Sequence, residues 1–278
     1  MRLGAHVPTR GGLPSAIDYA VEAGCEAIQL FVSNPRAWAP PNLSTETARA
    51  FAERRVEAGI GPVFAHTSYM VNIASPKPEF LERSVDLARR ELEATAAIGG
   101  DGLVIHAGAG GPGERREAVA RAAASILEIA GDETGLPEVV LELTAGGAGS
   151  VASRIPEAAE LLRAVEHHPR VAFCLDTCHL FAAGYPLDSA EGVVRSFADL
   201  REHGLTRRLR VVHANDAKGA RGSHRDMHEH IGEGSIGDEG FRAILADPAV
   251  RRAAVLIETP GRLEEDLRNL DRLRRLMG

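Results

Sequence analysis

The 278-residue chain has a formal net charge of −7, with 44% hydrophobic and 26% charged residues. That balance describes a folded globular protein, and it excludes a disordered chain or a binder that coats nucleic acid through net positive charge. No apolar run reaches the roughly 18 residues of a membrane span, and Met1-Arg2-Leu3-Gly4 leads into a strand pattern without a signal-peptide core, so a cytoplasmic location is expected. Cys25, Cys174 and Cys178 contain no C-x-x-C pair and read as reduced, partly buried thiols. Lys77 and Lys218 are the only lysines, a bias compatible with codon usage or heat adaptation.

Taken in order, the pattern predicts a strand at 2–6 and a helix at 13–23 stopped by Gly24, then a strand at 27–31. A Pro-rich loop from Asn34 to Pro41 precedes a helix capped by Ser44. The rhythm continues with strands at 62–66, 102–106 and 138–143, followed by helices at 78–98, 114–130 and 156–165. A strand at 171–176 gives way to a loop and a helix at 189–202. A strand at 210–214 is followed by a long Gly- and His-rich loop and a helix at 238–246; a strand at 254–258 and a helix at 263–277 close the chain. Strand–helix units without a break in composition predict one α/β domain over residues 1–278, a single (β/α)₈ TIM barrel. An open doubly wound sheet is the alternative, and no G-x-G-x-x-G or Walker A sequence supports it.

The ends of the last six strands carry His66, His106, Glu142, Asp176, His213 and Glu258. Strand alternation places Phe64, Val104, Val140, Cys174, Val211 and Leu256 beneath them, an apolar layer under a ring of possible ligands. In a barrel of this kind function sits at the C-terminal rim. One His or Glu there is ordinarily a hydrogen-bonded rim residue, but this many crowded acids and imidazoles require a cation among them. His6 stands in the same layer and reads as a hydrogen-bonder behind the ring. Two further clusters fall on rim loops: His179, three residues after Asp176, and His224-Arg225-Asp226-Met227-His228-Glu229-His230. Asp226 with a histidine suggests another mixed oxygen and nitrogen site, and spacing alone does not choose among His224, His228 and His230. The imidazole content favours zinc, or manganese or iron, over magnesium.

These residues lie in segments that resemble the endonuclease IV family of zinc-dependent apurinic/apyrimidinic endonucleases. The resemblance runs from Gly4-Ala5-His6-Val7 to Leu256-Ile257-Glu258-Thr259 and includes Glu142-Leu143-Thr144-Ala145-Gly146, the run from Cys174 to Tyr185, His213-Ala214-Asn215-Asp216-Ala217-Lys218, and Asp226-Met227-His228 ahead of Gly232-Glu233-Gly234. It implies three zinc ions, with manganese possible at one site. His66, His106 and Glu142 would hold the first; Glu142, Asp176, His213 and Glu258 the second, with Glu142 bridging; His179, Asp226 and His228 the third. Four ligand carboxylates against three zinc ions leave about +2 at the site, which suits a phosphate substrate despite the acidic chain.

The implied reaction is incision on the 5′ side of an abasic site in double-stranded DNA, leaving a 3′-hydroxyl and a 5′-deoxyribose phosphate. Its nucleophile would be a hydroxide generated on zinc. A monomer without membrane attachment is expected. Duplex DNA would have to be bent and the abasic nucleotide turned out, and the resemblance points to Arg36, Tyr69 and Met70 as the inserting side chains, with Met70 where leucine is usual. Two other departures stand out. Leu143 replaces an asparagine, which should remove a polar group beside the site, and His106-Ala107-Gly108-Ala109 replaces His-Pro-Gly-Ser, which should loosen a loop. A metal-dependent sugar isomerase or epimerase and a non-catalytic binder of damaged DNA are the competing functions.

Overall fold

The computed structural model describes residues 1–132 and 135–278. The parallel strands β1 (Arg2–His6), β2 (Ala27–Leu30), β3 (Val63–His66), β4 (Gly102–His106), β5 (Glu138–Leu143), β6 (Val171–Asp176), β7 (Leu209–His213) and β10 (Ala254–Ile257) close into a barrel in that order, β10 pairing back onto β1. The expected TIM barrel is therefore what forms. Around it lie α1 (Leu13–Glu22), α2 (Thr45–Glu57), α3 (Pro78–Ala97), α4 (Arg115–Ala130), α5 (Ile155–Ala164), α7 (Ala190–Glu202), α8 (Gly237–Ala246) and α9 (Leu263–Met277). Among the described residues no helix is long and apolar enough to cross a membrane.

Local chemistry accounts for the helix starts. Ser44 accepts a hydrogen bond from the Thr47 amide and Ser189 from the Gly192 amide, caps that contribute about 1 kcal/mol each. Pro14 and Pro78 sit in the first turn, where a missing N–H costs nothing. Inward faces such as Ile17 and Ala20 of α1 or Leu270, Leu273 and Leu276 of α9 are buried against the outward-facing strand residues.

Alternation along the strands splits the core in two. Leu3, Ile28, Leu103, Ile105, Leu141, Phe173 and Val255 face the helices. Ala27, Phe64, Val104, Val140, Ala172, Cys174, Val211, Ala254 and Leu256 fill the barrel itself, and all six side chains expected beneath the rim are among them. Phe64 fits because Gly102 has no side chain: a Cβ there would lie 3.1 Å from the Phe64 ring and 2.8 Å from Val140. Removing the ring by Phe64→Ala would cost about 3–5 kcal/mol.

Three local expectations need correction. β2 stops at Leu30, β7 at His213 and β10 at Ile257, so Phe31, Ala214 and Glu258 stand just beyond the ladder. Where a loop was expected after Asp176, the chain turns at once into the short helix α6 (Thr177–Ala182), because the Asp176 carboxylate caps it by accepting from the His179 amide at 2.9 Å. The Gly- and His-rich loop contains an antiparallel ribbon, β8 (Asp216–Ala217) with β9 (His228–Glu229).

Candidate metal centre

His66, His106, Asp176 and His213 end their strands, Glu142 is one residue short of the end of β5, and Glu258 is one residue beyond β10. His179 stands on the first turn of α6, His228 opens β9, and Asp226 lies two residues before it. The ligand atoms of His66, His106 and Glu142 lie within 4.8 Å of one another. The same holds for Glu142, Asp176, His213 and Glu258, and for His179, Asp226 and His228. Glu142 is 1% exposed and reaches both ways. Its Oε2 is 3.1 Å from His66 Nε2 and 3.4 Å from His106 Nε2, while its Oε1 is 3.2 Å from both His213 Nδ1 and His179 Nδ1.

The hydrogen bonds on the far side of each ring decide what the cluster can hold. His66 Nδ1 donates to Thr67 O at 2.8 Å, His179 Nδ1 to Leu143 O at 3.0 Å, His228 Nδ1 to Glu258 O at 3.1 Å, and His213 Nε2 to Gln29 Oε1 at 2.9 Å. Carbonyl oxygens only accept, so these contacts assign the proton to that nitrogen in a neutral ring and leave the lone pair on the other. Those lone pairs face carboxylates: His66 Nε2 and His213 Nδ1 face Glu142, while His179 Nε2 and His228 Nε2 lie 3.1 and 3.0 Å from Asp226. Despite that proximity, His179 Nε2 and His228 Nε2 are buried and make no hydrogen bond. A lone pair set against a carboxylate repels unless something positive stands between them, so the donor set fits a metal cation.

Without a cation, protons take that place. Burial favours the neutral ring of His179, but Asp176, Asp226 and Glu142 outweigh it and hold the imidazole well above its ordinary value. His213 is likewise held high against burial by Cys174, Glu258 and Glu142, and His228 is raised to about 9 by Asp176, Asp226 and Glu258. The histidines in turn hold Glu142 well below the usual carboxylate range, although burial opposes this.

Two residues not foreseen from sequence orient this set. Gln29, inward-facing on β2, accepts from His213 and donates to Glu258 Oε1 at 2.6 Å, and His6 Nδ1 reaches the same Glu258 oxygen at 2.8 Å. Asn215 donates to Asp176 Oδ2 at 2.6 Å and accepts from the Glu258 amide at 2.8 Å. Ala27 points into the barrel, so its i+2 neighbour on the same face was the available signal for Gln29. Asp216 holds the loop-borne ligands from behind: its carboxylate accepts from the amides of Ala217, Gly232, Gly234, Ile236 and Gly237. Of the three loop histidines, His228 faces the cluster, whereas His224 Nδ1 meets Ala145 O and His230 Nδ1 meets Asn269.

The two departures act differently from expectation. Leu143 packs its side chain into the outer core and touches the site only through its carbonyl. Ala107-Gly108-Ala109 is tied to Asn72, whose Oδ1 accepts from the Ala109 amide at 3.0 Å and whose Nδ2 donates to Ala109 O at 2.9 Å. The three cysteines are free and buried, and burial pushes each thiol up to about 12.

A cavity of about 280 Å³ opens over the cluster, walled by Phe31 and Tyr69 and shared by His6, His106, Asp226 and Thr259. Tyr69 lies edge-on to Phe31 with ring centroids 5.3 Å apart and is 62% exposed; Met70 is 37% exposed, and Arg36 is exposed on the neighbouring loop.

A family model described as xylose isomerase-like TIM barrel matches residues 17–276. The chain is 39% identical over 280 residues to "Probable endonuclease 4" of Streptomyces coelicolor, covering 99% of this chain and 94% of that one. It is 40% identical to the protein of the same name in Methanoculleus marisnigri, covering 99% of each. The crystal structure of endonuclease IV from Thermus thermophilus matches with a TM-score of 0.88 at 34% identity, covering 100% of this chain and 99% of that one. An L-ribulose 3-epimerase matches with a TM-score of 0.72 at 16% identity, covering 100% and 93%, a likeness of fold alone. With relatives this similar over nearly its full length, the chain belongs to the endonuclease IV family of xylose isomerase-like TIM barrels.

Proposed function

We propose that this chain is a zinc-dependent abasic-site endonuclease of DNA base-excision repair, a monomeric cytoplasmic hydrolase that cuts the phosphodiester bond 5′ to an abasic site in duplex DNA. The products are a 3′-hydroxyl and a 5′-deoxyribose phosphate. One observation carries the reading: three ligand sets converge at one rim, two of them sharing Glu142, in a chain whose relatives are named endonuclease 4. His66, His106 and Glu142 would hold one ion, Glu142, Asp176, His213 and Glu258 a second, and His179, Asp226 and His228 a third. Zinc in such a site acidifies a water toward neutral pH and offsets charge on the phosphoryl and leaving oxygens.

The chain's own residues supply the rest. Glu142, reaching the first two sets through different oxygens, sets the separation between them. Gln29 and Asn215 fix the orientation of His213, Glu258 and Asp176, so the ligands need not reorganise when the substrate arrives. A phosphate within an intact duplex does not easily reach a cluster recessed beneath a cavity of about 280 Å³, so the nucleotide must turn out of the stack to meet it. Tyr69 walls that mouth, Met70 is exposed next to it in sequence and Arg36 is exposed on the loop hydrogen-bonded to Tyr69, and the three would serve as the wedge; Met70 is a flexible apolar side chain suited to an irregular gap in a base stack.

The test is incubation of the purified protein with an end-labelled duplex carrying one tetrahydrofuran abasic analogue. The expected product is cut on the 5′ side and ends in a 3′-hydroxyl that a polymerase extends. A cut on the 3′ side, or tight binding of the lesion with no cut, would overturn the assignment.

A further inference from the structure

Glu91 is a carboxylate in the interior of α3, 0% exposed, and lies outside the ligand sets. Its Oε1 accepts from the Ser33 hydroxyl and, at 3.1 Å, from the Ser68 amide; Oε2 lies 3.3 Å from the same amide. Ser33 belongs to the loop that presents Arg36, and Ser68 directly precedes Tyr69 and Met70. The two loops are also tied to each other. Ser68 Oγ donates to Pro35 O at 3.0 Å and the Tyr69 amide to the same oxygen at 2.9 Å, while within the second loop the Met70 amide donates to Ser68 Oγ at 3.2 Å. Further along the first loop, Trp38 is clamped from the same helix by Arg83, 4.5 Å above its ring, and by the edge of Phe80.

A buried acid is a costly way to fill space. Burial pushes the Glu91 carboxyl up to about 7, against the Ser33 and Ser68 hydrogen bonds that favour its charge. A leucine would pack in this helix without that penalty, so what the carboxylate adds is a single acceptor gripping both loops at once. We propose that Glu91 is a positioning residue that locks the Ser33 and Ser68 loops into one unit, so that Arg36, Tyr69 and Met70 meet an abasic duplex as a preformed wedge. The proposal rests on the endonuclease reading, because it assigns that wedge a DNA lesion. A preformed wedge saves the ordering of two loops at the moment of binding, so its loss appears in KM and not in turnover.

The experiment compares wild type, Glu91→Ala, Glu91→Gln and Ser33→Ala, with Tyr69→Ala as the benchmark for loss of the wedge itself. Glu91→Ala should raise KM for the abasic duplex by about 10-fold or more, since the bonds that tie both loops to one buried carboxyl are lost. Its kcat and metal content should change far less than its KM, because Glu91 bonds no ligand side chain and meets His66 through the intervening Thr67–Ser68 peptide. Amide hydrogen exchange in 33–37 and 68–70 should rise in the absence of DNA. Glu91→Gln keeps an acceptor oxygen and should restore most of the KM. Ser33→Ala removes only one contact and should raise KM about 3-fold, which keeps the idea testable if Glu91→Ala does not fold. Unchanged KM and exchange in Glu91→Ala, or in Ser33→Ala where it must stand in, would overturn the proposal. A fall of kcat and metal content with KM unchanged, the mark of a merely structural role, would overturn it as well. Wild type with no preference for abasic over intact duplex would instead overturn the endonuclease reading and this inference with it.

Discussion

His66, Glu142, Asp176 and His213 project from barrel strands, with hydrogen-bonded neighbours on both sides of the backbone, whereas Asp226 and His228 hang from a ribbon whose two strands have two residues each. Glu142 is 1% exposed and the Asp226 side chain 54%. The first group is positioned by the closure of the whole barrel and cannot move without opening it. The second is positioned by one buried carboxylate, Asp216, and by the pairing of Ala217 with His228. A single chemical cluster thus has a rigid side and a side of local stability, which separate substitutions can address.

The largest effect should come from the rigid side. Glu142→Gln removes the charge shared by two ligand sets and should abolish incision, well beyond the ~10- to 100-fold loss typical of residues that only orient a ligand. The barrel should survive, because Gln fills the same volume. Near-normal turnover, measured alongside metal content and circular dichroism, would move the reacting centre away from Glu142. On the ribbon side, Asp216→Ala leaves several amides unsatisfied, at about 1–3 kcal/mol for each that finds no water. Metal content should fall by one ion per chain while the strand-borne ions remain. If elemental analysis shows all ions lost together, the two sides are one cooperative unit and the comparison fails.

The smallest effect is in proton balance. In the metal-free protein His66, His179, His213 and His228 have raised pKa values, so they hold protons near neutral pH that a cation must displace. Metal binding should release protons, seen by calorimetry in buffers of different ionisation heat, and affinity should fall as pH falls. Stability follows with a definite sign. The raised histidines contribute fully below their ordinary value of 6.5 and lose that contribution as pH rises, for His228 through about 9. The depressed Glu142 and Glu258 contribute above their ordinary 4.5 and lose it as pH falls. Ion pairing in the metal-free form should therefore stabilise most between 4.5 and 6.5, and the gap in Tm from the metal-loaded form should widen from pH 6 to pH 9. A constant gap would show that protons do not substitute for metal there.

The same division explains what could be read from sequence. A strand has a period of two and a barrel has one functional rim, so the apolar layer from Phe64 to Leu256 and the ring above it followed from alternation. Gln29 is hidden because it lies within its strand, two residues short of Phe31, and not at the strand end. The helix at Thr177 leaves little trace in sequence because one residue, Asp176, serves both as a charge at a strand end and as the helix cap. His228 could not be separated from His224 and His230 by spacing, since the choice depends on a ribbon too short to leave a pattern. The grip of Glu91 on two loops distant in sequence was invisible for the same reason: an isolated acid in a helix reads as surface until its neighbours are known.

The interior of the barrel, filled from Phe64 and Val140 down to Ala27 and Ala254, also governs traffic. A vessel sealed at its base has one mouth, so the cations, water and DNA of the proposed reaction would share an entrance. A duplex seated on the rim would then close the exit for the ions beneath it. Metal held too weakly to survive a chelator in the free protein could be retained through a catalytic cycle, and resistance to chelation would report occupancy of the mouth, with intrinsic affinity unchanged.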